Sequence, residues 1–74
     1  MQSKHDFRFP AAQLDRFTAW LTRQSIEWKK GCEAHVVIRV YTENGWREMF
    51  DDGTSNYPVS AYLVPIVRHY MRVK

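Results

Sequence analysis

Cys32 and His35 stand three residues apart, a spacing that supplies half of a zinc site or a thiol beside its base. A structural zinc takes four ligands, and no second Cys or His pair accompanies them, since His5 lies near the start and His69 far along the chain. Asp51 and Asp52 are adjacent carboxylates, but no further carboxylate recurs at the spacing of a calcium loop. No glycine-rich phosphate loop, Ser–His–Asp arrangement or glutamate-bearing zinc helix is present. The expectation is a non-enzymatic chain with no metal and no cofactor, in which Cys32 is a bystander thiol and Asp51-Asp52 belongs to a turn.

The residues left with recognition chemistry are aromatic and basic. Aromatic and arginine side chains are the usual anchors of protein interfaces. Arg39, Tyr41, Trp46, Arg47 and Phe50, together with Trp20, are therefore the candidate partner-binding set. The competing reading is nucleic acid, with Arg39, Tyr41, Arg47 and Phe50 as a sheet platform, or Arg16, Arg23 and Lys30, joined by Arg68 and Arg72, as a phosphate track. Glu43, Glu48 and the two aspartates oppose that second reading. The favoured expectation is a small binding protein that regulates or inhibits a partner protein by occupying its surface.

A β-hairpin must position the first set. His35 to Thr42 is dense in β-branched and aromatic residues, Asn44-Gly45 follows, and Trp46 to Asp51 runs behind it. Asn-Gly favours a type I′ turn, which predicts that Glu43 faces Trp46, Tyr41 faces Glu48, Val40 faces Met49 and Arg39 faces Phe50. One face then carries Val36, Ile38, Val40 and Met49 as the core side, and the other Val37, Arg39, Tyr41, Trp46, Glu48 and Phe50. That second face is either packed under the terminal helix or open to a partner.

A helix is expected from near Pro10 to near Lys30, with Leu14, Phe17, Leu21, Gln24 and Trp28 at helical spacing and Lys29-Lys30-Gly31 closing it. Arg16, Arg23 and Lys30 would share a solvent face, with Glu27 paired to Arg23. Residues 1–9 have no period and read as a flexible arm. After the polar cluster Asp51 to Asn56, a second helix is expected from about Ser60, with Val59, Leu63, Ile66, Val67 and Tyr70 inward and Arg68, His69 and Arg72 outward. The alternative keeps Tyr57 to Val64 extended as a third strand, because residues before Pro65 avoid the α region.

These elements give an α+β fold with an N-terminal helix, an antiparallel hairpin and a C-terminal helix, forming a single small domain over residues 10–74. Hydrophobic residues are 45% and aromatic residues 15% of the 74, which argues for a packed globule over disorder. The net charge of +3 permits nucleic acid without requiring it. A single cysteine, and first residues without the apolar run of a signal peptide, lead to the expectation of a cytoplasmic protein with no membrane contact. The unpaired edges of a lone hairpin, and its aromatic second face, predict a homodimer. In element order the chain resembles the α-β-β-β-α arrangements of double-stranded-RNA-binding and HicA-like domains. The basic helix start that grips RNA in the former has no counterpart here, and fold alone carries no function.

Overall fold

The hairpin forms as β3 (Val36–Thr42) and β4 (Gly45–Phe50) in a computed structural model that describes residues 7–73. Its turn differs from the expected one. Thr42 pairs with Gly45, so Glu43 and Asn44 make the connection, and neither has positive φ. Gly45 alone does, at φ 92, which is the arrangement of an ordinary turn closed by a glycine bulge. The Thr42 hydroxyl fastens it, donating to the Gly45 carbonyl at 2.8 Å and accepting from the Asn44 amide at 3.1 Å.

Every pairing consequently moves by two residues: Tyr41 faces Trp46, Val40 faces Arg47, Arg39 faces Glu48 and Ile38 faces Met49. A strand has period two, so the predicted faces survive the wrong register. Val36, Ile38, Val40 and Met49 are buried. A bulge between Val36 and Ile38 then brings Val36 opposite Phe50.

The first helix is shorter than expected. A 3-10 turn, Ala11–Gln13, leads into α1 (Leu14–Arg23), and residues Trp28–Lys30 are a strand, β2. Ser25 breaks the helix at φ 61. Its amide bonds to the Thr22 carbonyl and that of Ile26 to the Leu21 carbonyl, which together form a Schellman cap. Trp28 pairs with Val40, Lys29 with Arg39 and Lys30 with Ile38. Gly31 is thus no helix cap; it passes so close to Val36 that a Cβ would collide with the Val36 carbonyl.

Of the arm expected over residues 1–9, Met1 to Asp6 lie outside the described residues. Phe7–Phe9 are built into the fold: β1 (Arg8–Pro10) pairs with β5 (Asn56–Pro58), and Phe9 is fully buried. Phe9 and Tyr57 are register partners, each followed by proline. Both strands run on to a 3-10 turn and a ten-residue helix, the second being Ala61–Leu63 and α2 (Val64–Val73). The final helix accordingly starts close to the expected Ser60, while the extended alternative for Tyr57 to Val64 holds only over residues 57–60.

A bridge between Met49 and Val59, with the Ser60 amide donating to the Glu48 carbonyl at 3.1 Å, joins β4 to the chain leaving β5. Both hairpin edges are therefore paired within the chain, β3 to β2 and β4 to this segment, and the outermost strands are β2 and β1. The unpaired edges therefore lie on β2 and β1 and not on the hairpin. Phe17 and Leu21 of α1, Leu63, and Val67 and Tyr70 of α2 share one core with Phe9, Val59 and the inward hairpin residues. Rings of Phe9, Phe17, Trp20 and Tyr70 interlock there at centroid separations of 5.1 to 6.1 Å. No helix among the described residues is long and apolar enough to cross a membrane.

Candidate functional site

Both helices pack against the face bearing Ile38, Val40 and Met49, so the aromatic face of the hairpin is not under the terminal helix. Two rows of side chains cross that face. One row is Lys29, Arg39 and Glu48, from β2, β3 and β4; the other is Tyr41 and Trp46. Tyr41 is 52% and Trp46 37% exposed, and their rings meet edge to face at 5.3 Å.

The rows interlock. The Lys29 ammonium lies over the Trp46 ring, 4.5 Å from its centroid, a cation–π contact. Arg39 Nε lies 3.6 Å from Glu48 Oε2 and has no hydrogen-bond partner, so the pair is coulombic and not a hydrogen bond. Lys29 is not among the sequence candidates, because its spacing places it at a helix end. Its pairing with β3 could be found only by seeing that the helix stops at Ser25.

The remaining candidates separate. Trp20 is 6% exposed and belongs to the aromatic core, stacked on Phe17, so it is no surface anchor. Arg47 points to the helix side: Val40 is its partner, its guanidinium lies 4.6 Å from the Tyr62 ring, and it donates to the Asn44 carbonyl at 2.7 Å. Phe50, beyond the bulge, stacks on His35 at 6.3 Å. The expected phosphate track keeps Arg16 and Arg23 together on α1 but not Lys30. Arg16 and Arg23 stay exposed on α1, Lys30 is on β2, Arg68 lies 5.4 Å from the Phe7 ring, and Arg72 is in the last turn of α2. Glu27, expected to pair with Arg23, lies beyond the helix.

The aspartate pair has a structural role. Asp52 accepts the Thr54 hydroxyl at 2.7 Å and the Arg8 guanidinium at 2.8 Å, and those two contacts hold its carboxyl at about 2, below the usual range. It thereby ties the loop after β4 to β1. Asp51 accepts the Gly53 amide at 2.9 Å. Cys32 is a free, exposed thiol, and His35 is 3.9 Å from Glu33. Among the described residues no three His, Cys, Asp or Glu side chains gather as metal ligands. Comparison of the chain with protein-family models, with curated proteins and with solved structures yields no match.

Proposed function

We propose that the chain is a small non-enzymatic binding protein that regulates or inhibits a partner protein by occupying its surface, docking through the uncovered sheet face. The observation that supports this is the placement of both helices on one side of the sheet, with Tyr41 and Trp46 left on the other. Exposed aromatics on a rigid element, next to an arginine, are what interface anchors require.

The geometry favours protein over nucleic acid on this face. Base stacking needs an open ring face, whereas Lys29 lies over the Trp46 ring and Tyr41 meets it edge to face. Glu48 also offsets Arg39 in the adjacent row. A partner with an apolar patch and flanking charges of both signs matches the two rows. Face-to-face pairing of two copies over Tyr41 and Trp46 is the form of homodimer that suits this fold, and the free Cys32 suits action in the cytoplasm.

Exchanging both aromatics, Tyr41→Ser with Trp46→Ser, tests the reading. Folding should persist while capture of partner from extract of the native cell is lost, equally in nuclease-treated and untreated halves. Capture that survives the double variant, or that nuclease abolishes, would sink it. Sedimentation of both proteins at micromolar concentration distinguishes a second copy from a different partner.

A further inference from the structure

On the helix side of the molecule, α1 and α2 leave a groove of about 600 Å³ between them, floored by Trp20 and rimmed by Arg16, Arg23 and His69. Arg16 and Arg23 are seven residues apart and so sit two turns apart on one face of α1, about 10 Å along its axis. Ala19 lies between them, and its small side chain keeps the groove open. Among the described residues neither arginine makes an ion pair, and none of those lining the groove carries a side-chain carboxylate. The His69 ring rests on the Trp20 indole at 5.7 Å, which fixes its position at the rim.

We propose that this groove is a phosphate-binding site, with the Arg16 and Arg23 guanidinium groups as the principal donors and the His69 imidazole as a third. Two unpaired guanidinium charges match the two charges of a phosphate dianion or of two linked phosphates, whereas a single carboxylate neutralises only one. The planar fork of arginine also suits phosphate oxygens bidentately. The Trp20 floor excludes water from one side of the groove and so strengthens the attraction. Arg72, in the last turn of α2, meets that helix's negative pole. The site is independent of the sheet face, and neither reading requires the other.

Two phosphate sources fit, a small phosphorylated molecule and the backbone of a nucleic-acid strand. The experiment titrates pyrophosphate, a short single-stranded oligonucleotide and a glutamate-rich peptide separately into the full chain, following backbone amide, arginine Nε–H and indole resonances by NMR. Saturable shifts centred on Arg16, Ala19, Trp20, Arg23 and His69 are expected, with affinity falling about tenfold in Arg16→Gln and again in Arg23→Gln. Both arginines are exposed, and an unchanged melting temperature in the variants verifies that the fold is kept. Pyrophosphate alone giving this response assigns the small ligand. The oligonucleotide binding more tightly, with a log–log salt slope of about −1.4 for two phosphates, assigns the strand. The proposal is overturned by absence of saturable shifts with either phosphate probe, by shifts that ignore both substitutions, or by equal binding of the glutamate-rich peptide.

Discussion

The amide of Ile26 donates to the carbonyl of Leu21 at 3.0 Å, and that bond, made across Ser25 at φ 61, ends the first helix and aims the chain at the sheet. Ile26 packs against the core beside it. A serine in the left-handed region carries strain that glycine does not, about 1–2 kcal/mol. Ser25→Gly relieves that strain and gives back about 0.5–1 kcal/mol in chain entropy. A net stabilisation of roughly 0.5–1 kcal/mol in urea unfolding is expected; a loss of stability would show that the Ser25 side chain has a favourable role.

Gly45→Val should destabilise by about 1–2 kcal/mol, because the turn holds this residue at positive φ. Nothing lies within 4 Å of an added Cβ, so the whole effect is backbone strain. Gly45→Asn should recover part of the loss, since asparagine tolerates that region. Equal losses for Val and Asn in equilibrium unfolding would rule out conformational strain as the cause.

Phe9→Ala should cost about 3–5 kcal/mol, the expectation for a ring buried against Phe17 and Tyr70. A residue in a loose arm would change stability by less than about 0.5 kcal/mol. Thermal unfolding with near-ultraviolet circular dichroism decides between them.

Acid should loosen the contact between the loop and β1. The Asp52 carboxyl titrates at about 2 in the fold, held there chiefly by Thr54 and then Arg8, against about 3.9 in an unfolded chain. The unfolded chain therefore takes up the proton first as pH falls. The stabilising contribution is full above about pH 4 and fades as pH drops toward 2. Asp52→Asn should be less stable than the parent at pH 6 and should converge with it at the acid end. A stability difference that stays constant over this range would exclude the linkage.

The hairpin was legible because period-two alternation survives a register error: moving every partner by two residues leaves Val36, Ile38, Val40 and Met49 inside and Arg39, Tyr41 and Trp46 outside. The helix from about Ser60 was legible from the stripe through Leu63, Val67 and Tyr70, and Pro65 sits where proline is tolerated, in the first turn of α2. β2 was hidden. Trp28 follows Leu21 at helical spacing, and Lys29-Lys30-Gly31 imitates a helix end, while the true stop is a serine with no intrinsic preference for positive φ. In the fold the Trp28 indole does face α1, donating to the Thr22 hydroxyl at 2.9 Å, but from a strand. Phe9 was hidden because three residues of strand, Arg8–Pro10, are too few to show a period. The candidate face lost Trp20 to the core, Arg47 to the helix side and Phe50 to the bulge, and it gained Lys29 because β2 was hidden.

The outermost strands bear on behaviour at high concentration. β1 ends in Pro10, which has no amide hydrogen to offer an incoming strand, and β2 is three residues long with exposed Lys29 and Lys30 along it. Strand-by-strand recruitment of further copies would juxtapose lysines at one rim and lack a donor at the other. The native chain is thereby a poor seed for cross-β polymers, and the sheet that displays Tyr41 and Trp46 stays finite in a crowded solution.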